Sequence, residues 1–370
     1  MLSHFTLFVT SADGYTGNHL VRTLASSQWN RYFRTIYAGV TDEQAGKDLE
    51  RLDKVKVVRY DPDNRDDLER RFRECHLVYV IPPCSKRQGK QDDGEVDDGL
   101  RRRWDQDAIQ EEQLGSAGLD QAAMSETHKI IQRTRNMIDA AKQAKIRNVG
   151  LWSPAASQHA SNHQILKCFH ELERHFERSG IENRCLVRVQ MYMQAFLLYA
   201  RTIQERGELP MSTGSGKFAP VSLRDHSRFV ACMIARKHGR GEDESQSSMD
   251  VDASQGAWVI PEEYRNRTFL LTGPESMNAD EVARQATRAI GEGNTIRYKE
   301  VDREEVERIL RRSGRLDRSE VRMFGEWFDV IRQGNLDKVS NDYERAVGRK
   351  PTPIREFFQD HQRDFAPRRN

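Results

Sequence analysis

The sequence predicts an α/β fold of the Rossmann type, a doubly wound parallel sheet with a smaller C-terminal α/β lobe. Three observations lead there. Short apolar runs alternate with stretches of helical period over residues 1–190, and strand alternating with helix means a parallel sheet with helices on both faces. The first apolar run stops at Ser11-Ala12-Asp13-Gly14-Tyr15-Thr16-Gly17 and a helical pattern follows at once. At 370 residues the chain suits one large or two modest domains of roughly 100 to 200 residues each, and it shows no fixed repeat that would signal a solenoid or propeller.

The elements are justified in turn. Residues 4–10 are a strand rich in Phe, Leu and Val, and Leu20, Val21 and Leu24 give the following helix its apolar stripe. A strand at 35–40, a polar helix at 43–51, a strand at 55–60, a helix at 66–72 and a strand at 77–81 continue the alternation. A helix at 127–145 presents Ile130, Ile131, Met137, Ile138 and Ala141 on one face and leads to a fifth strand at 149–152. Then come a helix at 163–179, a strand at 184–189 and an apolar stretch at 191–202. A strand at 268–271, a helix at 279–290, a strand at 295–300 and further helices finish the chain. The expected organisation is a Rossmann domain over 1–190 and a smaller substrate or partner lobe over 191–370.

Two segments break the pattern. Residues 84–126 hold Ser85-Lys86-Arg87-Gln88-Gly89-Lys90, an acidic glycine-bearing stretch and Arg101-Arg102-Arg103, and residues 237–254 are polar and of low complexity. Neither composition buries enough apolar surface to offset the entropy of ordering, so both are expected to be insertions. The basic clusters suit a solvated loop, with an import or phosphate-binding signal as the alternative.

Composition excludes several classes. The 59 Lys and Arg balance 57 Asp and Glu, giving a net charge of +2 spread along the chain, which argues against direct nucleic-acid binding. A mean hydropathy of −0.81 and the lack of any apolar run near the roughly 20 residues of a membrane span argue against a membrane protein. The first ten residues lack a signal-peptide pattern, so the expectation is a cytoplasmic protein, with nuclear entry left open by the basic clusters. Five widely spaced cysteines without a Cys-x-x-Cys pair suit buried thiols better than disulfides or a zinc site; no metal is expected.

A glycine-bearing turn between strand and helix binds anions, because glycine lets the backbone approach a pyrophosphate and the helix start offers N–H groups and a positive dipole end. Here the fingerprint reads Ser11-x-x-Gly14-x-x-Gly17, with serine in the first glycine place. Ser11, Gly14, Tyr15, Thr16 and Gly17 are therefore candidate dinucleotide contacts, a purely structural turn being the alternative. Thr41, Asp61 and Pro82, at the ends of the next three strands, extend the site. The choice between NAD and NADP stays open: Thr41 and Lys47 permit a 2′-phosphate, and Asp42 could take a hydroxyl. Ser153 ends the fifth strand, and His163-x-x-x-Lys167 opens the next helix with one turn between the two residues. These three are candidate catalytic groups, since a lysine can hold the nicotinamide ribose and a histidine can pass protons near neutral pH. Met191, Tyr192 and Phe196 follow the sixth strand, where open α/β sheets place their crevice, and are candidates for a substrate pocket; core packing is the alternative.

Several segments resemble the NmrA-like family of atypical short-chain dehydrogenase/reductases. They are Val9 to Gly17, Asn136-Met137-Ile138-Asp139-Ala140-Ala141, Lys167 to Val189, Ala219-Pro220-Val221-Ser222-Leu223-Arg224-Asp225, Leu271-Thr272-Gly273-Pro274-Glu275 and Val347 to His361. Their order and spacing are specific, and they span the chain outside the two insertions. The resemblance implies NAD(P) binding and one of two roles. Some members are NAD(P)H-dependent reductases of quinones, iminium ions or phenylpropanoids; others read the dinucleotide and regulate partners such as transcription factors. Ordinary short-chain enzymes use Tyr-x-x-x-Lys, and the tyrosine place here is His163, as in the non-catalytic sensors. Val189 departs from the family's Arg-Pro pair, which makes substrate analogy unsafe. The sequence therefore favours a dinucleotide-responsive regulator of a partner protein, on the strength of Ser11 and His163, with a reductase of a small apolar substrate that relies on Lys167 as the alternative.

Overall fold

The computed structural model describes residues 5–83, 116–235, 260–291 and 295–366. Seven strands form one parallel sheet in the order β3-β2-β1-β4-β5-β6-β8. They are β1 Phe5–Val9, β2 Phe33–Val40, β3 Val55–Arg59, β4 Leu77–Val80, β5 Asn148–Pro154, β6 Asn183–Val189 and β8 Arg267–Leu271. Every residue of β4 and β5 is buried, because helices cover both faces of the sheet's centre and a strand there reads as an unbroken apolar run. The edge strands β3 and β8 alternate with exposed Lys56, Arg59, Arg267 and Thr268, and charge on an edge discourages pairing with another chain.

The helices flank the sheet in two groups. Tyr15–Ala25 packs on Leu223–Ala235, and Ser116–Gln143 packs on Arg65–Phe72, Gln164–Glu177 and Arg318–Arg332. Helix starts are set locally where Asn or Asp precedes the first turn: Asn278 with Glu281 and Asp317 with Glu320 each form a reciprocal capping box. The helix Gln164–Glu177 is different. Its N-cap, His163, makes no capping bond; instead the buried Glu326 carboxylate, from Arg318–Arg332, accepts from the Ile165 and Leu166 N–H groups at 3.0 Å each.

The Rossmann-type sheet expected from the sequence is present, and the expected strand segments all fall in strands. Three differences have physical reasons. The helix expected at 127–145 starts at Ser116, so residues 116–126 of the polar segment are helical, their charged face held by pairs such as Asp120 with Arg322 and Glu126 with Arg318. A strand β7, Glu208–Met211, which carried no clear strand signal because of Pro210, pairs in parallel with β9, Arg297–Glu300; a two-stranded sheet has only edges, where proline is tolerated. Finally β8 comes from beyond residue 190 and pairs with β6, so the main sheet draws on both halves of the chain. Residues 84–115 of the first polar segment and all of 237–254 lie outside the described residues. No described helix is long and apolar enough to cross a membrane.

Close packing at the centre is set by Gly150. It stands opposite Tyr79 in the β4–β5 register, and a Cβ there would sit 2.5 Å from the Tyr79 ring. Gly150→Ala should displace that ring and destabilise the protein by about 1–3 kcal/mol, the usual cost of overpacking a core; urea unfolding at neutral pH measures it, and an unchanged midpoint would contradict this packing.

Candidate functional site

The turn after β1 is stitched to two neighbouring strands. Thr10 Oγ1 donates to the Ile81 carbonyl at 3.0 Å and accepts from the Ile81 N–H at 2.8 Å, which ties β1 to the end of β4. Ser11 adopts φ +53°, the left-handed conformation that the first glycine of such a turn usually supplies. That costs a non-glycine residue about 1–2 kcal/mol. Two bonds offset it: Ser11 Oγ donates to the Ile81 carbonyl at 2.8 Å, and its N–H donates to the Tyr60 hydroxyl at 3.2 Å. Burial pushes the Tyr60 phenol well above its ordinary range, so it stays protonated. Serine thus takes the glycine conformation without opening the turn.

The two glycines that remain differ in what they permit. A Cβ on Gly17 would collide with the backbone carbonyl of Ser11, whereas one on Gly14 would meet that oxygen at 3.2 Å. The helix Tyr15–Ala25 starts against the turn at Gly14, which has no side chain to cap it, and its first turn carries no acidic residue. Such a start, held close to a strand end, can receive an anion on its N–H groups. Gly14, Tyr15, Thr16 and Gly17 all lie at this helix start.

Asp13 was not singled out by the sequence, and it closes the end of β2. Its Oδ2 accepts from the Thr41 N–H at 2.7 Å, from Thr41 Oγ1 at 2.7 Å and from the Asp42 N–H at 3.2 Å. Asp61 follows β3, where its N–H donates to Asp67 and its carboxylate accepts from the Asp63 N–H. Pro82 is buried just past β4.

Ser153, His163 and Lys167 occupy different surroundings. Ser153 is fully buried and its hydroxyl donates to Glu173 at 2.5 Å; the same carboxylate accepts from Ser157 and from Arg188, the latter at 2.8 Å. This network joins the ends of β5 and β6 to one helix. His163 is buried, with no partner for Nε2 among the described residues, while Lys167 is exposed. Of the pocket candidates, Phe196 is fully buried against Phe358 and Met191 is buried too, whereas Tyr192 is partly exposed.

Tyr192 takes part in a chain of hydrogen bonds. Trp152 Nε1 donates to its hydroxyl at 2.9 Å, His226 Nδ1 lies 3.2 Å from that oxygen, and His226 Nε2 lies 3.0 Å from the Tyr79 hydroxyl. Among the described residues the Tyr79 hydroxyl has this one hydrogen-bond partner, and leaving a buried O–H donor unmade is the costlier choice. Tyr79 therefore donates to Nε2, His226 carries its proton on Nδ1, and Nδ1–H donates to Tyr192. The Tyr192 oxygen thus receives two donors, an arrangement that stabilises negative charge as the phenol gives up its proton. His226 escaped the sequence reading because nothing local marks it: the fold alone brings the helix Leu223–Ala235 against Tyr79 of β4. The neighbouring His19 Nδ1 bonds Ser227 Oγ at 2.8 Å, linking this network to the helix that starts at the glycine turn.

No protein-family model matches the chain. It is 23% identical over 235 residues to a curated NAD(P)H azoreductase from Xenophilus azovorans, covering 64% of this chain and 72% of that protein. Among solved structures it is similar to a triphenylmethane reductase from Citrobacter sp. complexed with NADP(H), at a TM-score of 0.66 and 17% identity over 96% of this chain and 99% of that one. It is also similar to NmrA, a negative transcriptional regulator in complex with NADP, at a TM-score of 0.60 and 11% identity over 96% and 95% of the two chains. The likeness to the NmrA-like family expected from the motifs is met at the level of the fold.

Burial, and secondly His19, pushes the His226 imidazole from 6.5 down to about 3. Its folded value lies below its unfolded one, so on acidification the unfolded chain binds a proton that the folded protein refuses. Stability should fall as pH drops from about 6.5 toward 3, with His226 contributing up to about 1.4 kcal/mol per pH unit. Denaturant unfolding of the wild type and His226→Gln across this range should give a shallower pH slope for the variant; equal slopes would mean that His226 titrates in the folded protein.

Proposed function

We propose that this protein binds a nicotinamide dinucleotide across the C-terminal ends of β1, β2 and β4 and uses it to reduce a small planar acceptor, such as a quinone or an azo or triphenylmethane dye. The binding half rests on the glycine turn, in which Gly17 keeps the helix start against Ser11. The backbone of Gly14, Tyr15 and Thr16 would take the pyrophosphate, Thr41 and Asp61 the adenosine end, and Pro82 the middle. The observation that carries the reductase half is the partly exposed Tyr192 phenol with two donors on its oxygen. The azoreductase and dye-reductase relatives lend support, and the sensor reading drawn from Ser11 weakens because Ser11 keeps the turn closed.

The bound dinucleotide would supply a hydride. The chain's part is the proton. Tyr192 O–H delivers it to the quinone oxygen or azo nitrogen that gains electron density, Trp152 Nε1–H and His226 Nδ1–H hold the phenolate left behind, and water returns the proton; a cationic triphenylmethane dye takes the hydride at carbon and needs no proton. His226 acts as a positioning residue, kept neutral by burial so that Nδ1–H is a donor and Nε2 an acceptor. In this scheme the exposed Lys167 and the locked Ser153 are not needed for proton transfer; Lys167 is left a ribose-holding role.

A second reading is favoured by one observation. His163 stands where short-chain enzymes carry their phenol, and it is buried with no partner for Nε2 among the described residues. A chain that reads the dinucleotide and reports to a partner protein needs no proton donor. The two readings separate in a turnover assay with an azo dye, a triphenylmethane dye and a quinone panel. With the azo dye and the quinones, Tyr192→Phe should lower kcat at least 100-fold, within the range lost with a general acid, while its dinucleotide Kd changes less than threefold and reduction of the cationic triphenylmethane dye is much less affected. Tight binding without turnover by the wild type would favour the regulator. Gly17→Val should abolish dinucleotide binding, and titration of a folded variant that still binds would remove the site from the turn.

A further inference from the structure

We propose that Asp13 makes this protein select the dinucleotide that lacks a 2′-phosphate, NAD(H) over NADP(H). The inference rests on the dinucleotide reading above and names its adenosine end. In a Rossmann sheet the group just past β2 meets the adenosine ribose: an acidic residue accepts from its 2′-hydroxyl, while an arginine accommodates a 2′-phosphate. Here β2 ends at Val40, and the donors beyond it that an anion could use are the Thr41 N–H, the Thr41 hydroxyl and the Asp42 N–H. All three converge on one oxygen of Asp13.

Asp13 is therefore an anion built into the place where a 2′-phosphate would bind. It comes from the glycine turn, which is why the residues after β2 alone leave the preference undecided. A 2′-phosphate would have to displace the carboxylate from three donors and then face it across a short distance. It would also face the exposed carboxylates of Asp42 and Glu43. The cations nearby do not reverse the balance: the Arg22 guanidinium is engaged by Asn18 and Asp48, and Lys47 is solvent-exposed and further along the chain. A 2′-hydroxyl, by contrast, can donate to the free Asp13 oxygen without disturbing the other. A carboxylate and a phosphate repel, whereas a carboxylate and a hydroxyl share a proton, so the discrimination is chiefly one of charge.

Isothermal titration of the full chain with NADH, NADPH, NAD and NADP tests this without any turnover. The wild type should bind NADH at least tenfold more tightly than NADPH, a difference of 1.4 kcal/mol. Asp13→Asn removes the charge while its one oxygen can still accept from Thr41 and Asp42; it should tighten NADPH at least fivefold and weaken NADH, so that the preference narrows or reverses. Raising the salt concentration should narrow the wild-type gap, since it screens the repulsion, and this arm does not depend on the variant folding. Equal or tighter wild-type binding of NADPH would overturn the role of Asp13 and leave the dinucleotide reading standing, as would a gap that neither salt nor Asp13→Asn alters. Absence of binding by all four dinucleotides would instead overturn the dinucleotide reading, and this inference with it.

Discussion

The site depends on one close approach, that of the first helix to the carbonyl of Ser11. Gly17 makes it possible, because any side chain there would strike that oxygen. The approach fixes the direction of the helix and aims its uncapped start past the ends of β1 and β4. It also places His19 against Ser227. The bonds of Thr10 and Ser11 to Ile81 then hold the turn in the plane of the sheet. Were the helix moved outward by the width of a methyl group, the turn would lose its shape and the contact with Leu223–Ala235 would shift with it.

Much of this was legible in the sequence because it is local. Alternating apolar runs marked the strands, and the glycine spacing marked the turn. What was hidden is non-local. Asp13 looked like an unremarkable turn residue, and its bonds lie 28 and 29 positions away on the chain. His226 meets Tyr79 across 147 positions. The helix that opens with His163 has its start capped by Glu326, at a separation of 160 positions from Leu166. No periodicity encodes such pairings. The Tyr-x-x-x-Lys analogy points to His163 and Lys167, but one side chain of that pair is buried and the other exposed, and nothing in the sequence near Tyr192 announces its bonds to Trp152 and His226.

Buried carboxylates recur as joints between elements. Glu173 gathers Ser153, Ser157 and Arg188, and Glu326 caps a helix from a different one. Asp225 accepts from the Tyr343 hydroxyl at 2.8 Å and the Thr352 N–H at 2.6 Å, which fastens the C-terminal segment to Leu223–Ala235. Each is a charge kept inside by several donors, the condition under which burying it is tolerable. Such joints are worth most against rearrangement: removing one partner leaves a charge without its donors, so the elements hold their mutual orientation even where their apolar contacts would allow sliding.

The origin of β8 has a consequence for biosynthesis. The main sheet is closed by a strand that leaves the ribosome well after β6, and at roughly 5–20 residues per second the intervening chain takes on the order of ten seconds to emerge. During that interval the β6 edge, with the backbone groups from Cys185 to Val189 that β8 will later pair, is open to any passing strand. A nascent chain of this kind is a natural client for a chaperone, and a fragment ending near residue 190 would keep that sticky border for good.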